Sequence, residues 1–445
     1  MGASRSRVLH RSLRETPPNA IGGEGVWLIG EDGRRILDAS GGAAVSCLGH
    51  QHPRVLEAMS RQASKLAYAH TSFFSSEPAE ALADKLVGHE PGGLAYAYFV
   101  SGGSEAIEAG IKLARQYFIE TGQPQRQRFI ARRQSYHGNT LGALAAGGNA
   151  WRREPYAPLL SSAFSHVTPA FAYHEKHDSE SEADFVARLA AELEAEFQRL
   201  GPETVAAFIA EPVQGAGGVI VPPADYFARI REICDQYEVL LIADDVITGF
   251  GRTGRWFGLE HYGIEPDIMQ FAKGITSGYV PLGGIGVSDT IREVINGVPA
   301  GKRWMHAFTY SGHPTCCAVA LRNLDILESE HLVERAAVAG ARLLEKLRGL
   351  ESLDGVGNVR GLGLMAAVEV VADKGTKQLF PATAGLTQKL TDALLDRGLY
   401  TRVALDCICL APPLVTSDAI IDRIVDILRE TIPAVLSAAG SVSEA

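Results

Sequence analysis

Two apolar stretches decide the fold: V-L-L-I-A-D-D at residues 239–245 and I-M-Q-F-A-K at residues 268–273. Each is a run of mostly apolar residues that ends directly at a charged one, which is typical of a strand buried on both faces. In open α/β sheets, ligands bind just beyond the carboxyl ends of the strands. We therefore expect Asp244, Asp245 and Lys273 to lie at a ligand-binding edge.

Further apolar runs predict strands at residues 95–100, 205–210 and 283–287. Longer segments with helical spacing lie between the strands, and in residues 183–200 apolar side chains recur every four residues from Phe185 onward. Strands that alternate with helices predict an α/β unit built around a largely parallel sheet.

The chain divides into three predicted parts. Residues 1–62 form an N-terminal arm and part of a small domain, with a β-meander between residues 7 and 38. Residues 63–321 form a large domain around the parallel sheet. Residues 322–445 form the rest of a smaller α+β domain, with a long helical pattern that reaches Leu350 and a last helix that begins near Asp418.

Composition excludes several classes of function. The 445 residues are 46% apolar and 21% charged, and their formal charge is −10. An acidic chain without a block of Lys and Arg disfavours binding to nucleic acid or to a lipid surface. No run approaches the roughly 20 apolar residues of a membrane span. We expect a cytoplasmic protein that binds neither nucleic acid nor membrane.

The cysteines show no spacing that predicts a metal site. They stand at positions 47, 234, 316, 317, 407 and 409, without a C-x-x-C pair and without histidines at ligand spacing. This pattern is typical of buried thiols in a reducing compartment, and we expect neither disulfides nor a metal ion.

Lys273 is a candidate nucleophile because it ends an apolar run and is followed by Gly274. Partial desolvation at a strand end lowers the pKa of a lysine, as an amine needs in order to attack a carbonyl. A lysine that extends from a strand edge into solvent is the alternative. Asp244 and Asp245 alternate sides, so one of them can face the ligand while the other binds a turn.

A phosphate site is predicted where the run at residues 95–100 passes through Ser101-Gly102-Gly103-Ser104 into a helix. Backbone N–H groups at such a turn point toward an anion. The segment lacks the lysine of a P-loop and the glycines of a dinucleotide motif. Tyr136 and His137 follow another short strand and offer a ring that can stack on a planar ligand, although a surface aromatic beside a loop glycine is commonplace and, for this tripeptide alone, the more frequent explanation.

Together these features predict a ligand that has a phosphate, a flat ring, a ring nitrogen that faces a carboxylate, and an aldehyde that faces a lysine. Pyridoxal 5'-phosphate has all four.

Five sequence strings carry a resemblance that spans about Val8 to Val435. They are S-G-G-S-E-A-I-E-A-G-I-K-L-A-R from Ser101, E-P-V-Q-G from Glu211, D-D-V-I-T-G-F-G-R-T-G from Asp244, A-K-G-I-T-S-G-Y from Ala272 and F-T-Y-S-G-H-P from Phe308. In order and spacing the chain resembles the class III aminotransferases of fold type I, which include ω-amino acid:pyruvate and amine:pyruvate transaminases. The resemblance implies a large domain with a mostly parallel central sheet covered by helices, plus a smaller α+β domain from both termini.

The resemblance also implies catalytic roles for Lys273, as the Schiff-base lysine, and for Asp244, which pairs with the pyridine nitrogen. It implies a cofactor site built from Gly103, Ser104, Tyr136, His137, Glu211, Asp244, Val246, Lys273 and Thr309. In this set Gly103 and Ser104 bind the phosphate, Tyr136 and Val246 cover the two ring faces, and Thr309 reaches the phosphate of a neighbouring subunit. A homodimer is therefore expected, and pairing of dimers into a tetramer stays open. Asp245 departs from the family, which usually has Glu there.

The substrate side of the resemblance rests on fewer residues. Cys409 and Ala216 stand where relatives that use 2-oxoglutarate with ornithine-like donors carry an arginine and a glutamate. Arg402 matches a mobile arginine that binds a carboxylate and swings away for an apolar amine. Ala44 and Phe73 are candidate walls of the substrate pocket.

These residues predict an aminotransferase that moves an amino group from an amine or ω-amino acid to a keto acid, with pyruvate as the expected acceptor. An aminomutase, racemase or decarboxylase on the same fold would share Lys273 and Asp244. A cofactor-binding regulator lacks the DNA-binding module that it would need, and a nucleotide-dependent dehydrogenase lacks its glycine motif. The sequence leaves the physiological donor and the preferred enantiomer open.

Overall fold

The structure is a computed structural model that describes residues 6–12, 16–89 and 93–440. The strands within these ranges are β1 (Ala20–Glu24), β2 (Trp27–Gly30), β3 (Arg35–Asp38), β4 (Leu94–Val100), β5 (Arg128–Arg132), β6 (Phe164–Val167), β7 (Val205–Ala210), β8 (Leu240–Asp244), β9 (Ile268–Phe271), β10 (Gly283–Ser288), β11 (Val356–Gly361), β12 (Ala366–Val370), β13 (Leu399–Tyr400), β14 (Arg402–Ala404) and β15 (Cys407–Leu410).

Helices connect the strands. The helices are α1 (Gly41–Ala44), α2 (Pro53–Lys65), α3 (Glu77–Val87), α4 (Gly103–Glu120), α5 (Leu141–Ala146), α6 (Ala150–Arg153), α7 (Ala172–Glu175), α8 (Glu182–Leu200), α9 (Tyr226–Gln236), α10 (Asp289–Gly297), α11 (Pro314–Ser329), α12 (Leu332–Arg348), α13 (Leu386–Asp396) and α14 (Asp418–Gly440). Short 3₁₀ turns lie at Glu154–Leu159, Pro202–Thr204, Gly258–Tyr262, Lys273–Ile275, Gly349–Ser352 and Ala382–Ala384.

The largest sheet in the described part of the chain has seven strands in the order β4-β10-β9-β8-β7-β5-β6. Strand β10 runs antiparallel to both of its neighbours, and the other strands run parallel to one another. The prediction of an α/β fold with a mostly parallel central sheet is confirmed. Strand β4 therefore points in the same direction as β9, although β10 lies between them. The parallel strands β4, β9, β8, β7 and β5 all end at a common edge.

Helices cover both faces of this sheet, so successive residues of β8 are buried on opposite sides. Ile242 packs with Ile107 and Phe118 of α4 on one face. Leu241 packs with Phe185 of α8 on the other. Helix α8 begins one residue before the predicted segment, because Ser181 and Asp184 form a capping box at its start.

Two smaller four-stranded sheets are built from the regions on either side of the large one. The first has the order β1-β2-β3-β13, and in it Leu399 pairs in parallel with Leu37. The second has the order β11-β12-β15-β14. Elements from both ends of the chain therefore share a sheet. The domain boundaries at residues 62 and 321 stay predictions.

The helical pattern predicted to run on to Leu350 is two helices, α11 and α12. His331 lies between them with φ of 51°, in the left-handed region that a continuous right-handed helix cannot include. The apolar spacing continues across this break because both helices pack against the same core. Periodicity alone therefore joined two elements that the backbone separates.

Arg252 ties distant parts of the chain to the loop that follows β8. Its buried guanidinium donates hydrogen bonds to the carbonyl oxygens of Ser46, Leu364 and Pro412. These three residues belong to the segment before α2, the turn between β11 and β12, and the segment after β15. The buried cation therefore fixes both small-sheet regions against the edge of the large sheet.

All six cysteines are buried. Within the described ranges, no helix is both long enough and apolar enough to cross a bilayer.

Candidate active site

One cavity lies beyond the carboxyl ends of β4, β5, β7, β8 and β9. It is lined by Gly103, Ser104, Tyr136, His137, Gly138, Glu211, Asp244, Val246, Ile247 and Lys273. Every residue that we predicted to hold the cofactor lines this cavity, apart from Thr309. The common edge of the parallel strands explains this convergence, because each of these residues follows a strand end closely.

Lys273 begins the 3₁₀ turn after β9, with φ of 49°. A positive φ is rare for a residue with a side chain, and such strained backbone is typical of functional sites. Its Nζ makes no hydrogen bond or ion pair with the described residues. Burial lowers the pKa of Lys273 to about 8, the charges of Asp244 and Glu211 act in the opposite direction, and the charge of Arg402 lowers it further. A large share of the amine is therefore neutral in mildly alkaline solution.

Asp244 ends β8, and its carboxylate is buried against His137. His137 Nδ1 lies 2.7 Å from Asp244 Oδ2, and the N–H of Val246 donates to Oδ1 at 3.2 Å. Both side chains of the Asp244–His137 pair are almost inaccessible to solvent. The sequence predicted that His137 would present a ring to the ligand; the structure shows that it also orients the acid.

Asp245 points away from the cavity, as alternation along the strand predicts. Its Oδ1 accepts hydrogen bonds from Thr248 Oγ1 at 2.7 Å and from the N–H of Gly258 at 2.6 Å. Its Oδ2 is buried and has no hydrogen-bond partner among the described residues. Burial raises the pKa of Asp245 to about 7. Asp245 thus stabilises the loop that follows Asp244.

Glu211 directly follows β7 and binds backbone on two sides. Its Oε1 accepts from the N–H of Tyr136 at 3.0 Å, and its Oε2 accepts from the N–H of Gly215 at 2.9 Å. Burial raises the pKa of Glu211, and the neighbouring His137 opposes that shift. The carboxylate therefore fixes Tyr136 at the cavity wall and also places a carboxyl group close to Lys273.

The floor of the cavity requires small residues at the start of α4. A Cβ atom on Gly103 would lie 3.1 Å from Val246 Cγ1, and one on Gly138 would lie 2.6 Å from Ser104 Oγ. The first-turn N–H groups of a helix have no partner within the helix, so those of α4 are available to an anion. The opening beside Gly103 and Ser104 thus fits a phosphate.

The remaining predicted residues lie outside the cavity lining. Arg402 is close, since its charge acts on Lys273, and its Nη2 donates to the carbonyl oxygen of Ala216 at 3.0 Å. Ala44 is part of a kinked turn with φ of 58°. Phe73 is 79% exposed. Thr309 is also exposed, and its carbonyl oxygen accepts from Tyr68 Oη at 2.8 Å.

Sequence reasoning missed three residues at the site. Gly138 stood in the motif around Tyr136, and its φ of 134° shows why glycine is needed there. Ile247 directly follows Val246. Arg152 places its guanidinium carbon 4.9 Å from the centre of the Tyr136 ring. Nothing in the sequence signalled Arg152, because its position depends on how the segment around α6 folds back over the site.

No group of three or more His, Cys, Asp or Glu side chains in the described part of the chain is arranged to hold a metal ion. The donor set fits pyridoxal phosphate instead: a free amine, a carboxylate fixed by a histidine, an aromatic wall, and helix N–H groups beside a cradle of small residues. His137 Nε2, which is buried at the cavity wall without a hydrogen-bond partner in the described chain, is a further polar atom available to that ligand.

Comparisons with known proteins agree with this chemistry. The family model described as aminotransferase class-III matches residues 11–432. A putrescine–pyruvate aminotransferase of Pseudomonas aeruginosa is 39% identical over 92% of this chain and 88% of its own.

Solved structures agree as well. An (S)-enantioselective omega-transaminase from Thermomicrobium roseum shares 47% identity with a TM-score of 0.91, over 96% of this chain and 94% of its own. An omega transaminase from Pseudomonas jessenii in complex with PMP shares 36% identity with a TM-score of 0.92, over 95% of this chain and 94% of its own. The protein is thus a pyridoxal-phosphate-dependent aminotransferase that belongs to the class III family.

Proposed function

We propose that this aminotransferase moves an amino group from an amine or an ω-amino acid to pyruvate in two half-reactions. The observation that carries the proposal is the lack of an acidic partner for Arg402. Its guanidinium lies near Lys273 and has no acidic partner among the described residues; its one hydrogen bond goes to the carbonyl oxygen of Ala216. Such a guanidinium is free to exchange that carbonyl for the carboxylate of a small keto acid.

Bound pyridoxal phosphate supplies an aldehyde for the donor amine and a ring that withdraws electrons from the donor carbon. In this chain Gly103, Ser104 and the first turn of α4 would hold the phosphate. Tyr136 and Val246 would cover the ring faces, and Asp244 would face the ring nitrogen, since a buried carboxylate favours a protonated nitrogen beside it.

Lys273 has two tasks in the proposed reaction. Its amine would hold the cofactor when no substrate is present, and the free neutral amine would act as the base that accepts the proton of the donor carbon at Nζ and as the acid that gives it back. A pKa of about 8 suits both tasks, because neither the charged nor the neutral amine is rare near that pH.

Arg402 would act on the acceptor side. A planar guanidinium binds the carboxylate of pyruvate through two parallel hydrogen bonds. For an amine donor without a carboxylate, the same side chain keeps its hydrogen bond to the carbonyl oxygen of Ala216 and leaves the space beside it apolar. The name of the Pseudomonas aeruginosa relative supports pyruvate as the acceptor.

The proposal includes a homodimer in which each subunit completes the other's site. An aromatic patch, defined by Tyr68, Phe73, Phe74 and Tyr310, is exposed on the surface, with Phe73 at 79% and Phe74 at 67%. The rings of Tyr68 and Tyr310 lie 6.2 Å apart, and Thr309 adjoins them. Exposed apolar clusters of this kind are typical of protein interfaces. A second subunit on this patch would receive Thr309 at its phosphate site.

The acceptor assignment is tested by a panel of amine and ω-amino acid donors with pyruvate and with 2-oxoglutarate. We expect stoichiometric transfer of nitrogen to pyruvate. Arg402→Ala should raise the KM of pyruvate by roughly tenfold to a hundredfold, which is the cost of a lost charged hydrogen bond. The KM of an amine donor without a carboxylate should change much less. Equal effects on both substrates would reject the role of Arg402. A donor that is isomerised or decarboxylated without transfer would favour a mutase, racemase or decarboxylase.

The depressed pKa of Lys273 predicts how cofactor capture depends on pH. Only the neutral amine attacks an aldehyde, so the rate should rise as the pH passes through about 8 and then level off. Stopped-flow absorbance after mixing apoenzyme with pyridoxal phosphate measures this rate. In Arg402→Ala the midpoint should move upward, because one charge that lowers the pKa is gone. A wild-type midpoint near the ordinary lysine value of about 10.4 would contradict this environment.

The hydrogen bond between His137 and Asp244 predicts a defect in catalysis. His137→Ala leaves a buried carboxylate oxygen without its donor, which costs about 1–3 kcal/mol. We expect kcat to fall by roughly tenfold to a hundredfold while Lys273 still captures the cofactor. His261→Ala is the matched control, because His261 bonds to the carbonyl oxygen of Thr253 and does not line the cavity. An unchanged kcat in His137→Ala would show that Asp244 needs no such support.

The dimer is tested by a charge placed in the aromatic patch. Phe73→Glu should shift the mass measured by light scattering toward one subunit and should lower activity together with dimer content. Val338→Glu, at an equally exposed position on α12, should keep the wild-type mass. A wild-type protein that is active as a single subunit would overturn the shared site.

A further inference from the structure

We propose that Arg152 binds the remote carboxylate of ω-amino acid donors, at a subsite beside Tyr136; this inference rests on the proposed function. The subsite is distinct from Arg402, to which the carboxylate of the keto acid is assigned.

The guanidinium of Arg152 contacts two aromatic rings. Its central carbon lies 4.9 Å from the centre of the Tyr136 ring and 4.5 Å from the centre of the Trp151 ring. These cation–π contacts hold the guanidinium beside the rings and leave its N–H groups available as donors. A planar fork held in this way is suited to a carboxylate, which it can bind through two parallel hydrogen bonds.

No described residue accepts a hydrogen bond from the guanidinium of Arg152 or forms an ion pair with it. Its Nε is buried and has no partner. The buried arginines Arg252 and Arg132 also leave Nε without a partner, but their terminal nitrogens are satisfied: Arg252 donates to three carbonyl oxygens, and Arg132 donates to the carbonyl oxygen of Glu211. A partly buried cation with free donors loses hydration without replacement, so an anion that pairs with it is favoured.

Two more arginines stand near this group. Burial lowers the pKa of Arg152, and the charges of Arg402 and Arg11 lower it further, so all three lie in one region. None of the three has an acidic partner in the described ranges. In a chain of formal charge −10, a cluster of unpaired arginines beside the active cavity attracts anionic substrates.

The positions of Arg402 and Arg152 relative to Lys273 indicate which carboxylate each arginine binds. The charge of Arg402 acts directly on Lys273, whereas Arg152 meets the cavity through the ring of Tyr136. A carboxylate next to the reacting carbon, as in pyruvate, therefore suits Arg402. A carboxylate several methylene groups away from the donor nitrogen suits Arg152. Tyr136, which lines the cavity and stacks on Arg152, forms the wall along which the methylene chain would lie.

The test compares pairs of donors that differ only in the carboxylate. 6-Aminohexanoate is paired with hexylamine, and 4-aminobutyrate with butylamine, with pyruvate as the acceptor. Arg152→Gln keeps a planar polar group at this position and removes the charge. We expect kcat/KM for 6-aminohexanoate to fall at least about tenfold more than kcat/KM for hexylamine, the effect of one lost charged hydrogen bond. Arg152→Lys should recover part of the loss.

Arg153→Gln is the matched control. Arg153 is the next residue, and its Nη1 lies 3.4 Å from Nδ1 of His166, away from the Tyr136 ring. It should leave the ratio between the two donors unchanged. If the ratio of kcat/KM between the two donors differs between Arg152→Gln and Arg153→Gln at every pH, the effect comes from the position of the lost charge.

Three results would overturn the inference. Equal losses for 6-aminohexanoate and hexylamine would mean that Arg152 only supports Tyr136. No loss would mean that the remote carboxylate binds elsewhere or that a partner subunit neutralises Arg152. A wild-type enzyme that uses amines but no ω-amino acid would overturn it while leaving the amine:pyruvate activity intact. Failure of the proposed function looks different, because the wild type would then transfer nitrogen from neither donor to pyruvate.

Discussion

Burial of opposite charges at one sheet edge is the constraint on which this site depends. Lys273, Asp244 and Glu211 all follow parallel strands and lose most of their hydration together. Burial favours the neutral forms of Lys273 and Glu211; the charges of Asp244 and Glu211 oppose this shift of the pKa at Lys273, and His137 opposes it at Glu211. The amine stays reactive because desolvation outweighs the two carboxylates, and the carboxylates keep hydrogen bonds from His137 and from backbone N–H groups. The chemistry of the site therefore comes from the order of the strands as much as from the identity of the residues.

The sequence predicted the centre of the site well, and the reason is geometric. Parallel strands that end in charged or glycine-rich segments must bring those segments together, so Lys273, Asp244 and Gly103 could be placed without a structure. Asp245 could be assigned to the opposite side, because side chains alternate along a strand. The structure shows Asp245 bonded to the loop that follows Asp244.

The periphery of the site was not predictable in the same way. Arg152 reaches Tyr136 only because a short helical turn folds back over the cavity, and no periodicity reports such a contact. The break at His331 depends on one backbone angle, which apolar spacing does not register. Phe73 was expected in the pocket wall, yet it lies on the surface of the chain, where a second subunit would decide what it touches. Residues whose role depends on loops or on a second subunit could therefore not be predicted from strand ends and helix faces.

The pairing of β13 with β3 has a consequence for synthesis of the protein. Leu37 lies in the first tenth of the chain, whereas Leu399 lies in its last eighth, and the two strands share one small sheet. On the ribosome, the N-terminal hairpin strands emerge long before their final neighbour exists. The edge of β3 must therefore remain unpaired while the large sheet folds, and a newly made chain carries an open strand edge that other chains could bind until translation is nearly finished.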